Sequence, residues 1–351
     1  MRLGVSIAQV GRLADPAVVR SAAAGAEQVG YSSLWVLDQL VDRSTIRRPP
    51  PRTDGVPLDV VRRDGVRRDG RPAHGVPTDG AQPLGAPADG APPDGALPEG
   101  VGPALDPVGV LAYAAAVTSR VRLGTSVLVT PWYRPAVLAR SLATLDVLSD
   151  GRLTVGLGTG WAPEDYAAAG VPRRHRAATL ESTLDALDAL GRACRGRAPS
   201  VPPPVQRPRP PVLLAAYTPA GLERIARRAD GWNPAGLPIE RIRSAWALVR
   251  DMAAAHGRDP DALELVPRAT LTLTDRPAGS DRRLCTGTLS QMIDDVEALR
   301  RVGAHEVVIG LAGDPGFDEA METYASLAEA LDLRPWRSTR PGEPVQPVAP
   351  L

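Results

Sequence analysis

The residues with most to say about chemistry lie in one stretch, Gly151-Arg152-Leu153-Thr154-Val155-Gly156-Leu157-Gly158-Thr159-Gly160-Trp161. A short apolar strand runs into alternating glycines and an aromatic residue, then into Pro163, Glu164 and Asp165, which read as the first turn of a helix. Without a Cβ the backbone here can take positive φ or lie against a flat ligand, and the N–H groups that follow can face an anion. Glycines at a strand end also serve packing alone, and the pattern by itself does not choose between the two. Glu164 and Asp165 are either proton carriers or partners of the helix dipole. Two more strand ends carry polar atoms. Asp38 and Gln39 follow the apolar run Ser33-Leu34-Trp35-Val36-Leu37, and Ala216-Tyr217-Thr218 places a hydroxyl and small residues where a helix begins.

Composition narrows the classes of partner. The chain has 351 residues, with 41 basic against 40 acidic side chains, so no global field recruits nucleic acid or a membrane surface, and a small-molecule substrate is expected. Every basic residue apart from histidine is arginine; the absence of lysine excludes a Schiff-base lysine and a P-loop. Cys194 and Cys285 are too few and too far apart for a disulfide framework or a zinc site, and no metal is expected. No apolar run reaches the roughly 18 residues of a membrane span. Met1-Arg2-Leu3 leads directly into a strand-like segment instead of a signal peptide, so a cytoplasmic protein is expected.

The elements that must position these residues alternate along the chain. Leu3 to Ala8 reads as a strand, and Asp15-Pro16 opens a helix that ends at Gly30. After the second strand, strands are expected at Val121–Val129, Leu153–Leu157, Val212–Ala215, Ala229–Asn233, Leu265–Leu273 and Glu306–Gly310, with helices between them. An eightfold series of this length predicts an α/β fold of the closed (β/α)8 TIM-barrel kind, with ligands at the carboxyl ends of the strands. A long low-complexity insertion after strand 2 interrupts the series. Residues 45–104 carry a five-residue repeat ending in Asp-Gly, as in Val76-Pro77-Thr78-Asp79-Gly80, and read as successive turns in a disordered surface excursion. One carboxylate per repeat is too few oxygen ligands for a calcium array. The barrel is thus expected to span residues 1–333, and residues 334–351 form a Pro-rich disordered tail.

Several of these pieces in order, Leu34-Trp35-Val36-Leu37-Asp38, Leu123-Gly124-Thr125-Ser126-Val127-Leu128, Ala143 to Leu153, Val155 to Trp161 and Ala229-Asp230-Gly231-Trp232, resemble the luciferase-like monooxygenase superfamily. The resemblance is to its branch of oxidoreductases dependent on the deazaflavin coenzyme F420. It implies hydride transfer between F420 and a small organic substrate. An FMN-dependent monooxygenase using molecular oxygen and a separate reductase is the first alternative, and a non-catalytic cofactor-binding relative the second. It also implies a homodimer. Carried over by position, the resemblance places a non-prolyl cis peptide at Ser126-Val127, next to Thr125, against the cofactor ring. Gly158, Thr159 and Gly160 lie along the cofactor, Ala216, Tyr217 and Thr218 meet its phosphate, and Asp38 sits near the ring. The catalytic candidates are Asp38, Gln39, Trp161 and Glu164. Two of them depart from the family pattern: Gln39 stands where members often have histidine, and Trp161 where sugar-phosphate dehydrogenases have glutamate, so sugar oxidation is disfavoured. Arg134, Arg173, Arg174 and Arg176 are candidate partners for an anionic cofactor tail, and His175 lies in a loop that could face the substrate.

Overall fold

The computed structural model describes residues 1–7, 9–40, 104–192, 201, 203–312 and 316–334. The repeat insertion from residue 45 to 103, the tail from residue 335 and Cys194 lie outside the described residues. The strands are β1 (Arg2–Ser6), β2 (Ser33–Val36), β3 (Arg122–Thr125), β4 (Leu128–Val129), β5 (Leu153–Gly158), β6 (Val212–Leu214), β7 (Gly231–Trp232), β8 (Glu264–Leu265), β9 (Arg268–Leu273), β10 (Thr286–Gly287) and β11 (Glu306–Leu311). The helices are α1 (Pro16–Val29), α2 (Pro107–Val117), α3 (Pro135–Leu148), α4 (Pro163–Ala168), α5 (Arg176–Arg192), α6 (Pro219–Arg228), α7 (Ile239–Ala255), α8 (Leu289–Val302) and α9 (Phe317–Ala330). Helix starts follow the sequence signals. Asp15 accepts hydrogen bonds from the Ala17 and Val18 N–H groups at the head of α1, and Gly30 closes that helix at φ +109°.

The strands form one parallel sheet in the order β10-β9-β11-β1-β2-β3-β5-β6-β7-β8, with β4 paired to β5. This corrects the closed (β/α)8 barrel expected from the strand count. The sheet is an open, curled half-barrel whose edges lie 21 Å apart. Two local features separate the expectation from the result. The run Leu265–Leu273, expected as one strand, is divided into β8 and β9 at Val266-Pro267, because proline has no N–H to continue a ladder. The short β10, which carries no strand signal in the sequence, adds to the free side of β9 and becomes one edge, while β8 becomes the other. Val266 still donates to Trp232 O and Arg268 to Pro234 O, so the chain itself bridges from one side to the other at this break.

The concave face of the sheet is filled largely by Trp35, which clusters with Leu213, Val266 and Val308. Its indole Nε1 donates to Ser33 Oγ at 2.6 Å and to Glu306 Oε1 at 3.0 Å. Glu306 also pairs with Arg2, which reaches Glu264 on β8. The neighbouring strands make room by having no side chain. A Cβ on Gly4 would lie 2.6 Å from Trp35 Nε1, and one on Gly124 would lie 2.4 Å from Trp35 Cε3. The convex face packs against the helices through a large apolar cluster that includes Leu34, Leu123, Leu153, Val155, Val307 and Ile309. Among the described residues no helix is long and apolar enough to cross a membrane.

Gly124→Ala is expected to destabilise the protein by about 1–3 kcal/mol, because the indole must leave its place to admit a methyl group. Adding Trp35→Leu should restore part of that loss. Urea denaturation of the single and double variants checks it, and simple additivity would contradict the packing account.

Candidate active site at the carboxyl edge of the sheet

The run Val121–Val129, expected as one strand, is broken into β3 and β4 where the Ser126-Val127 peptide bond is cis. The break is held from three sides. Thr125 Oγ1 donates to Gly156 O and accepts from Gly156 N–H, both at 2.8 Å, and Ser126 N–H donates to Val36 O at 2.8 Å. The Ser126 hydroxyl is 2.7 Å from Asn233 Oδ1, whose amide donates to Val266 O. Tying β2, β3, β5 and β7 together fixes the segment at the carboxyl ends of the strands.

The glycines of β5 are explained by this contact. A Cβ on Gly156 would lie 1.9 Å from Thr125 O, one on Gly158 2.6 Å from Val127 Cγ2, and one on Gly160, where φ is +68°, 2.7 Å from Val129 Cγ1. Of the two uses the sequence left open for these glycines, close packing is the one visible in the contacts: they admit the Thr125–Val129 segment. Thr130 Oγ1 donates to Gly158 O, and the Tyr166 hydroxyl donates to Thr159 O, so the loop after β5 is anchored from both flanks.

Asp38 is 8% exposed, just past the end of β2. Its Oδ2 accepts from Val129 N–H and from the Tyr133 hydroxyl, both at 2.9 Å. Oδ1 receives no hydrogen bond from the described residues. Burial pushes the carboxyl up to about 7, against the opposing effect of its two donors, and the nearby Asp106 and Asp165 push in the same direction as burial. Burial and the adjacent carboxylate also raise the Tyr133 phenol. A carboxyl that titrates near neutrality can hold or release a proton at working pH.

The structure brings Asp38, Ser126-Val127 and the loop Gly158–Gly160 together along the carboxyl edge of β2, β3 and β5. Gln39 and Trp161 are half-buried just beyond β2 and β5, and Glu164 is half-buried in the first turn of α4. The Asp165 carboxylate beside it is buried and accepts from Leu40 N–H. Across the mouth, Thr218 caps α6 by accepting from Gly221 N–H, Ala216 O accepts from Trp232 Nε1, and the Tyr217 hydroxyl accepts from Ala235 N–H. Arg134, Arg173, Arg174 and His175 are exposed, and Arg176 is half-buried at the start of α5. One residue at the site carried no sequence signal: Tyr133, in Pro131-Trp132-Tyr133, whose hydroxyl donates to Asp38. Cys285 is a buried thiol, pushed up to about 12 by burial, and takes no part in this edge.

Comparison with known proteins gives the class. Residues 91–333 match the luciferase-like monooxygenase family, and the chain belongs to it. An uncharacterised protein of Mycobacterium tuberculosis is 42% identical over 166 residues, covering 44% of this chain and 58% of that protein; the chain thus spans little more than half the length of this relative. The 4-hydroxyprotoasukamycin monooxygenase of Streptomyces nodosus is 27% identical over 255 residues, 66% of this chain and 64% of that enzyme. Among solved structures, the monooxygenase RslO1 of Streptomyces bottropensis superposes with a TM-score of 0.63 at 20% identity, covering 94% of this chain and 98% of that one. The coenzyme F420 dependent tetrahydromethanopterin reductase of Methanopyrus kandleri gives 0.61 at 14% identity, covering 94% and 99%. At these identities the structural likeness concerns the fold.

Because Asp38 is raised in the folded protein, the native state holds a proton that the unfolded chain releases near pH ~4. The stability this carboxyl contributes therefore falls as pH rises from about 4 to about 7 and levels off above. Asp38→Asn keeps an acceptor for both donors and removes the titration. Relative to this variant, the wild type should lose up to about 4 kcal/mol between pH 4 and pH 8. Denaturation curves at both pH values test this, and a difference independent of pH would contradict it.

Proposed function

We propose that the protein is an oxidoreductase that binds the deazaflavin coenzyme F420 at the carboxyl edge of the sheet and exchanges a hydride with a small organic substrate held over the ring. The observation that carries this reading is Asp38: a buried carboxyl near neutrality, beside the Ser126-Val127 segment, in a member of the luciferase-like family. When bound, the deazaflavin supplies the two-electron chemistry. The residues of the chain supply position and a proton. The Thr125–Val129 segment and the loop Gly158–Gly160 form one wall for a planar ring. The N-terminal turn of α6 at Ala216-Tyr217-Thr218 offers N–H groups to a phosphate. Asp38 holds a proton at Oδ1, since Oδ2 is engaged by Val129 and Tyr133, and gives or takes it at the reacting atom. Gln39, Trp161 and Glu164 shape the neighbouring wall. Homodimerisation, implied by the resemblance, is part of the same proposal.

The second reading is an FMN-dependent monooxygenase, favoured by the match to the Streptomyces nodosus monooxygenase and by the fold shared with a riboflavin lyase solved with modified FMN. Titration of the purified chain with F420 and with FMN, followed by fluorescence, separates the readings. Tighter binding of F420 is expected; preference for FMN overturns the first reading, and failure to bind either overturns both. Tyr133→Phe removes a donor to the charged form of Asp38, so the pKa governing turnover should move upward, by about one pH unit. The pH profile of kcat for the variant checks this; an unmoved profile would remove Asp38 from the proton-transfer step.

A further inference from the structure

Arg268 is the first residue of β9 and lies on the concave face. Within β9, Ala269 and Leu271 join the apolar cluster that packs against the helices, so Arg268, which alternates with them, is on the opposite face. Its guanidinium extends over Gly310 of β11: a Cβ there would lie 3.4 Å from Nη2 and 3.5 Å from Ser6 Cβ. A Cβ there would meet the guanidinium at ordinary contact distance. The side chain is half-buried. Among the described residues it makes no ion pair and no side-chain hydrogen bond; its backbone N–H donates to Pro234 O. The groups facing it are phenols, Tyr217 from the end of β6 and Tyr324 from α9, whose hydroxyls are held by Ala235 N–H and Ser6 O.

An arginine in such a place is uncommon, because taking a cation from water without a counter-charge costs free energy that the fold does not recover. Other half-buried arginines among the described residues have side-chain partners, either carboxylates or neutral oxygens. Arg209 meets Asp188 and Asp230, Arg282 meets Asp295, and Arg152 donates to the Ser149, Ala115, Thr118 and Val121 carbonyls. Burial accordingly works against the charged state of Arg268, with only the two phenols opposing it. An incoming anion completes the missing pair, and a planar guanidinium suits a carboxylate or a phosphate in two-point contact. The wall proposed for the ring is built from β2 to β5, whereas the Arg268 guanidinium stands over Gly310 of β11 beside Ser6 of β1; Tyr217, which faces it, adjoins the turn offered to the cofactor's phosphate, so a probe that still binds with cofactor in place marks a substrate anion.

Resting on the proposed oxidoreductase reading, we propose that Arg268 is the anion-binding residue of the substrate pocket, so that the substrate carries a carboxylate or phosphate seated against its guanidinium between Tyr217 and Tyr324. Two probes test this on the full chain, benzoate and inorganic phosphate, by calorimetry with and without bound cofactor. The wild type is expected to bind at least one of them. Arg268→Met should weaken that binding roughly tenfold to a hundredfold, and Arg268→Lys should retain part of it. Without ligand, Arg268→Met should also melt at a higher temperature than the wild type, since it removes an unpaired charge. Equal probe affinity in wild type and Arg268→Met, or binding of neither probe by the wild type, overturns the proposal. So does intact probe binding with a shifted midpoint potential of the bound cofactor, which would assign the guanidinium to the ring. A chain that binds a probe at Arg268 but neither cofactor would leave this site standing and sink the oxidoreductase reading alone.

Discussion

The structure depends on a volume constraint on the concave face of the sheet. Trp35 occupies that space from β2, and its indole is compatible only with glycine at Gly4 and Gly124 on the strands to either side. The same rule operates one layer further toward the carboxyl edge, where Thr125 to Val129 descends onto Gly156, Gly158 and Gly160. Large groups from one strand are matched by absent side chains on its neighbours, and interiors packed to crystal density tolerate no other solution cheaply. The polar ends of the plug are satisfied locally. Ser33 and Glu306 receive the indole N–H, and Arg2 balances Glu306 and Glu264.

That constraint has a consequence for the site. Because β3 is forced apart from β4 at Ser126-Val127, the N–H of Val129 turns toward Asp38 instead of continuing the ladder. The carboxyl is thereby buried with two donors on one oxygen, a balance in which desolvation outweighs hydrogen bonding and leaves the group near neutrality. Across the mouth the balance runs the other way: among the described residues Arg268 has no carboxylate beside it. The described residues thus place a carboxyl raised to near neutrality on one wall and a guanidinium facing two phenols on the other.

Much of the motif content that carries the family resemblance proves to be architectural. Gly151, at φ +73°, closes the turn after α3, and the Arg152 that follows supplies donors to carbonyls at the end of α2. Asp230 accepts from Val212 N–H and from Arg209, while a Cβ on Gly231 would lie 2.1 Å from Glu264 O. These residues hold adjacent strands and helix ends together, and so point to a fold more firmly than to a reaction. Asp38 is the carboxyl at this wall that burial brings near neutral pH.

What the sequence determined by itself was local: the helix starts at Asp15-Pro16 and Asp106-Pro107, the stop at Gly30, the alternation of strand and helix, and the glycine stretch at the end of β5. Each follows from the conformational preferences of a few neighbouring residues. The closure of the sheet was not determined this way, since it turned on Pro267 and on the pairing of β10 with β9, contacts between segments distant in the chain. Nor was the chemistry of the edge. Asp38 and Arg268 are ordinary side chains in the sequence, and only the tertiary structure decides that one is buried beside two donors and that the other, among the described residues, faces phenols and no carboxylate. Burial and pairing depend on which distant residues converge, and no local pattern records that.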